Sequence, residues 1–180
     1  MKKMLAALAV VGALAATPAF AALAVGAKAP EFQTAATLGG KAYPFDLDAA
    51  LKKGPVVLYF FPAAFTTGCT IEAHEFADAA DQYKALGATV IGVTAGNTDR
   101  LVEFSTSECR SKFAVAADPS LAIAKDYDAT LAVFPGHSNR TSYVITPDRK
   151  VLFVYSNLDP SQHVTLTLDA IKQWRAAHPQ

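Results

Sequence analysis

The sequence predicts an α/β fold, a three-layer sandwich of helices about a central mixed sheet, from three observations. Val56 to Phe61 is a continuous apolar run bounded by Gly54-Pro55 and Pro62, the pattern of a strand buried on both faces. Strand-like and helix-like segments then alternate, which predicts parallel strands joined by helical crossovers. Near the end, two strand-like segments flank the four residues Pro147-Asp148-Arg149-Lys150, a spacing suited to an antiparallel hairpin. With 180 residues and no internal repeat, linker or low-complexity tract, a single domain is expected.

Taken in order, the chain enters through Ala29-Pro30-Glu31-Phe32 and a Gly39-Gly40 turn before the first core strand. From Ile71 to Leu86, the residues Phe76, Ala79, Ala80, Tyr83 and Leu86 recur at spacings of three and four, predicting an amphipathic helix that stops at Gly87. Thr89 to Val93 is a second buried strand. Asn97-Thr98-Asp99 offers an N-cap for a helix carrying Leu101, Val102, Phe104 and Cys109. Phe113 to Ala117 predicts a short strand before Asp118-Pro119, and Leu121 to Tyr127 a short helix. Strands follow at Ser142 to Thr146 and Val151 to Tyr155. A helix over Ser161 to Ala177, presenting Val164, Leu166, Leu168, Ile171 and Trp174, closes the chain.

Composition narrows the function classes. Hydrophobic residues make up 52% and charged residues 18%, too apolar for a disordered chain. Sixteen basic and sixteen acidic residues give a net charge of +0, which disfavours nucleic-acid binding. The apolar content is concentrated at the start: Lys2-Lys3, an apolar stretch of 13 residues from Met4 to Ala16, Pro18 and Ala19-Phe20-Ala21 have the layout of a secretory signal peptide. An uncleaved anchor is the alternative, but crossing a bilayer takes roughly 20 apolar residues. Cleavage after Ala21 leaves residues 22–180 as the domain, with 14 basic and 16 acidic residues and a net charge of −2. The expected location is periplasmic or secreted, an oxidising compartment with no membrane attachment.

The stretch Phe61-Pro62-Ala63-Ala64-Phe65-Thr66-Thr67-Gly68-Cys69-Thr70-Ile71-Glu72 carries the chemistry. It sets a cysteine between the C-terminal end of a buried strand and the start of a helix. Ligands bind at that edge of open α/β sheets, and a helix N-terminus there offers unpaired N–H groups and a positive dipole end that favour a thiolate. A lone cysteine is otherwise most often a small buried hydrophobe.

Pro62-x-x-x-Thr66-x-x-Cys69 followed by Glu72 resembles the active-site motif of the peroxiredoxins, and Phe65-Thr66-Thr67-Gly68-Cys69-Thr70-x-Glu72 is most similar to the bacterioferritin-comigratory, or Q-type, subgroup. The resemblance extends from Pro30 through Val151 and implies a thioredoxin-like fold and thiol-dependent reduction of hydrogen peroxide or organic hydroperoxides, without metal or haem. It implies Cys69 as the peroxidatic nucleophile, Thr66 as a hydrogen-bonding partner of peroxide and thiolate, and Pro62 as a shield against water. It also implies Arg140 as the cation beside the sulfur, with Glu72 orienting the guanidinium. Without that resemblance, Arg140 reads as a solvated charge ahead of a strand, and Thr66 and Glu72 read as capping residues of the following helix.

Where many Q-type relatives keep a second cysteine, five residues after the first, this chain has His74. Cys109, 40 residues after Cys69, remains as the candidate resolving thiol, as in some subgroups of the family. Pairing demands Cα atoms about 4.4 to 6.8 Å apart, so local unwinding is expected. A one-cysteine enzyme and a permanent structural bridge stay open as alternatives. His74, His137, His163 and His178 have no metal-ligand spacing, and no cofactor is expected. Phe134-Pro135-Gly136-His137-Ser138 reads as an exposed turn close to the pocket. The expected partners are a hydroperoxide and an external dithiol reductant such as a thioredoxin-like protein, with the chain a monomer or homodimer. Two other classes fit less well: a copper-handling thioredoxin-fold protein using Cys69 with His74 or His137, and a binding module with structural cysteines.

Overall fold

The computed structural model describes residues 22–179; the expected signal peptide lies outside the described residues. Seven strands form one mixed sheet: β1 (Gln33–Leu38), β2 (Lys41–Asp46), β3 (Val56–Phe60), β4 (Thr89–Thr94), β5 (Ala114–Ala117), β6 (Thr141–Ile145) and β7 (Val151–Ser156). Their spatial order is β2-β1-β5-β4-β3-β6-β7. β3, β4 and β5 run parallel, while β6 and β7 continue antiparallel from β3. Five helices accompany them: α1 (Leu47–Leu51), α2 (Thr67–Ala85), α3 (Leu101–Ser107), α4 (Ala122–Asp126) and α5 (His163–Ala177).

The period of two along β3 builds both layers of core. Val56, Leu58 and Phe60 face one side, with Leu47, Ala50 and Leu51 of α1 and Ala124 of α4. Val57, Tyr59 and Phe61 face the other, with Phe76 and Tyr83 of α2, Phe104 of α3, and Val164, Leu168 and Ile171 of α5. Tyr59 stacks on Phe76 with ring centroids 4.4 Å apart, an aromatic contact that adds to area burial.

Three expectations need correction, and the structure adds elements ahead of the first core strand. The β1–β2 hairpin and α1 carry no strong sequence signal, because the hairpin is a half-exposed sheet edge and Pro44 interrupts β2, where only an edge strand tolerates it. Gly39 and Gly40, both at positive φ, make its two-residue turn. α2 begins at Thr67 rather than Ile71; its first turn is polar and lacks apolar periodicity. Asn97 is itself left-handed and makes no side-chain cap; its Nδ2 donates to the Ala64 carbonyl instead. Cys109 lies two residues past the end of α3, its N–H bonded to the Phe104 carbonyl, because the left-handed Arg110 and Ser111 break the helix there.

Candidate active site

The loop between β3 and α2 is pinned from the neighbouring strand. Ala63 bridges Gly96 in a parallel pair, and a side chain at Gly96 would sit 2.5 Å from the Pro62 carbonyl oxygen, so only glycine permits the approach. Thr94 Oγ1 donates to that same carbonyl at 3.1 Å. Phe65 takes a positive φ and packs edge-on against Phe104 of α3, with the Arg100 guanidinium 3.8 Å above its ring. This loop delivers Cys69 as the third residue of α2, where the backbone N–H groups have no partner within the helix.

Cys69 is 1% exposed. Arg140, at the end of the loop entering β6, reaches it with Nη2 3.5 Å from Sγ. Nη1 of the same guanidinium pairs with Glu72 Oε2, and Nε donates to the Leu158 carbonyl at 2.8 Å. One planar group thus answers three partners, a geometry lysine lacks. Gly68 makes room for it: a Cβ there would lie 3.0 Å from Nη2. Arg140 is 4% exposed and Glu72 fully buried. Burial pushes the Glu72 carboxyl up to about 8 against the pull of Arg140. Arg140 stays charged, because Glu72 and Cys69 outweigh the desolvation that opposes it.

The structure therefore brings Cys69, Glu72 and Arg140 into contact and sets Pro62 in the loop that precedes them. Thr66 is the N-cap residue of α2 but makes no side-chain cap; its Oγ1 donates to the Ala63 carbonyl at 3.0 Å. Glu72 does not cap the helix either, since its carboxylate is turned to Arg140. Cys109 is fully buried in the same apolar cluster as Cys69, and both thiols are free. Burial pushes the Cys109 thiol well up, helped by Glu108. His74 is half-buried and pairs with Glu108 at 2.8 Å. Of the expected exposed turn, Phe134, Pro135 and Gly136 are exposed, but His137 is half-buried and Ser138 is fully buried, a correction to that expectation, because the chain turns inward there on its way to Arg140.

Two residues of the cluster carry no motif in the sequence. His163, at the start of α5, is fully buried with Nδ1 2.8 Å from Ser142 Oγ and 3.6 Å from Glu72 Oε1. The available signal was its place on the inward stripe His163, Thr167, Ile171 of α5, where a histidine interrupts an otherwise core-facing row.

A buried thiol at a helix N-terminus, held against an arginine that is itself braced by a glutamate, is matched by a family assignment over residues 25–154, described as the AhpC/TSA family. The chain belongs to the AhpC/TSA family. It is 33% identical over 122 residues to the chloroplastic peroxiredoxin Q of Triticum aestivum, covering 67% of this chain and 56% of the relative. It is 30% identical over 122 residues to that of Sedum lineare, covering 67% and 65%. The chain thus spans a little over half the length of the curated relatives it matches. Among solved structures, peroxidoxin BcpB from Mycobacterium tuberculosis superimposes with a TM-score of 0.73 at 28% identity, covering 83% of this chain and 96% of that one. The reduced 2-Cys peroxiredoxin of Plasmodium vivax does so with 0.74 at 22% identity, covering 86% and 84%, a likeness of fold. The fold is thioredoxin-like, as this family's is, and the Q-type resemblance stands on these relatives.

Among the described residues, no group of three or more His, Cys, Asp or Glu side chains is arranged to hold a metal ion, and no helix is long and apolar enough to cross a membrane.

Proposed function

We propose that this AhpC/TSA family member is a thiol peroxidase that reduces hydrogen peroxide and organic hydroperoxides through Cys69. The observation that carries the reading is the Arg140 Nη2 to Cys69 Sγ contact of 3.5 Å at the first turn of α2. A guanidinium and open helix N–H groups stabilise negative charge on the sulfur, and then on the oxygen that departs. The thiolate attacks one peroxide oxygen, the O–O bond breaks, and the other oxygen leaves as water or alcohol after taking a proton. Cys69 is left as a sulfenic acid. Thr66 is the candidate donor to the peroxide; its hydroxyl must turn from the Ala63 carbonyl to serve it. Pro62 lies in the loop that limits water at the sulfur.

Cys109 is the proposed resolving thiol. Its sulfur attacks the sulfenic sulfur, water is lost, and a Cys69–Cys109 disulfide forms, to be reduced by an external dithiol of the thioredoxin-like class. A buried, protonated Cys109 is a poor nucleophile, so the segment after α3 must leave the core first. The leader-like residues 1–21 support a periplasmic or secreted enzyme.

Intact-mass measurement after one equivalent of peroxide tests both parts. Wild type is expected to lose two hydrogens and Cys109→Ser to gain one oxygen. Identical products from the two proteins would refute resolution by Cys109; unchanged masses with no peroxide consumed would refute the peroxidase.

A further inference from the structure

Glu72 presents a buried, one-sided carboxyl. Oε2 meets Arg140, but Oε1 is sealed from solvent with no hydrogen-bond partner. Facing it at 3.6 Å is Nδ1 of His163. The ring's protonation is dictated by its other contacts. Nε2 lies 2.9 Å from the Asn157 carbonyl oxygen, which can only accept, so Nε2 carries the hydrogen. Nδ1 then accepts from the Ser142 hydroxyl at 2.8 Å. A full positive charge on the ring is opposed first by its burial, which pulls His163 down to about 4, and further by Arg140. The charged and titratable groups around the ring are Glu72 of α2, Arg140 just ahead of β6, and Asp159 in the turn ahead of α5, with Glu75 of α2 acting on Glu72. Tyr155 of β7 packs on it edge-on.

A neutral imidazole so held spends its single Nδ1 lone pair on the Ser142 hydroxyl and has no N–H to offer Glu72 Oε1 at 3.6 Å. That arrangement disfavours a carboxylate there and favours a carboxylic acid, since an anionic oxygen without a donor in a dry site is costly. We propose that His163 is a positioning residue for Cys69: locked by Asn157 and Ser142, it keeps a proton on Glu72 Oε1 and so leaves the Arg140 charge to the sulfur. The proton balance closes within the site. Cys69–SH with Glu72 carboxylate becomes Cys69 thiolate with Glu72 carboxylic acid, one proton moving from sulfur to carboxyl while Arg140 stays cationic and His163 stays neutral.

The inference rests on Cys69 as the reacting sulfur, and its test uses iodoacetamide rather than peroxide, so that loss of peroxidase activity and failure of this inference are separable. Alkylation of Cys69, followed by peptide-resolved mass spectrometry on the reduced protein across pH, reads the thiolate directly. In His163→Gln, whose amide can still donate to the Asn157 carbonyl, the rate near neutral pH is expected to fall about tenfold with its alkaline plateau unchanged, as follows when the thiolate becomes about tenfold scarcer at that pH. Adding Glu72→Gln, a neutral stand-in for the protonated carboxyl, is expected to restore the wild-type profile. A purely structural role predicts lower stability with no such rescue. A wild-type profile in folded His163→Gln, or an altered profile that persists in the double variant, overturns the proposal. Should His163→Gln fail to fold, the ¹⁵N chemical shifts of His163 in wild type decide: an unprotonated Nδ1 at neutral pH supports it and a protonated one refutes it.

Discussion

Arg140 concentrates more of the site than any other residue, because its three nitrogens answer Cys69, Glu72 and the Leu158 carbonyl at once. Lysine offers a single nitrogen at the end of a flexible stem. Arg140→Lys is therefore expected to slow the reaction of Cys69 with peroxide by about 100-fold, the usual order for removing a preorganised donor, as measured by stopped-flow kinetics. Gly68→Ala acts on the same group from the other side. Its added methyl, 3.0 Å from Nη2, must displace the guanidinium, and the same assay is expected to show a loss with the fold retained by circular dichroism. An unchanged rate in both variants would mean that the contact does not serve the chemistry. At this scale, Cys69, Glu72 and Arg140 were legible in the sequence through the motif and its resemblance. His163 and Ser142 were not, since their role depends on which hydrogen-bonding atoms face Glu72.

Among the elements, the link between α2 and the Cys109 segment governs the second half of the proposed cycle. His74, Asp78 and Asp81 follow one face of α2 and pair respectively with Glu108, Arg110 and Lys112. These pairs bracket Cys109 on both sides. The two exposed pairs, Asp78–Arg110 and Asp81–Lys112, each contribute about 0 to 1 kcal/mol, so together they form a weak, screenable clasp over the segment that must open. Raising the salt to about 1 M, where the Debye length is about 3 Å, is expected to accelerate formation of the Cys69–Cys109 disulfide several-fold, and Asp78→Ala to do so at low salt. Equal rates in all three conditions, followed by quenched thiol trapping, would show that opening does not pass through this clasp. The apolar spacing of the sequence places Cys109 inside the helix; the left-handed Arg110 and Ser111 leave it in a turn, which makes its release less costly than unwinding a helix interior.

Across the whole molecule, two buried groups shape the dependence of stability on pH. Burial raises Glu72 from 4.5 to about 8, so the folded state holds a proton there that the unfolded chain releases first. Stability is then lost as pH rises from about 4.5 toward 8. His163 is lowered from 6.5 to about 4, chiefly by burial, so its contribution is present above 6.5 and lost as pH falls toward 4. The unfolding midpoint should decline on both sides, and each slope should be traceable. In thermal denaturation followed across pH, Glu72→Gln is expected to flatten the alkaline side alone, and His163→Gln the acid side together with part of the alkaline side, through its hold on Glu72. If the slopes survive both substitutions, other groups set them.

The sequence by itself determined the sheet's buried centre, the crossover order and the cysteine proposed to react. Each is written in local terms: the unbroken run Val56 to Phe61, the helical spacing from Phe76 to Leu86, and a thiol between them. Tertiary structure alone decided the rest. The β1–β2 edge has little apolar patterning because it is half solvated, so its pairing with β5 emerges only when the sheet assembles. Cys109 is held protonated in the core because packing buried it. Glu72 became a proton-holding carboxyl because α2, β6 and α5 converge on it, and the energy of a buried charge depends on every dipole that surrounds it rather than on the residues beside it in the chain.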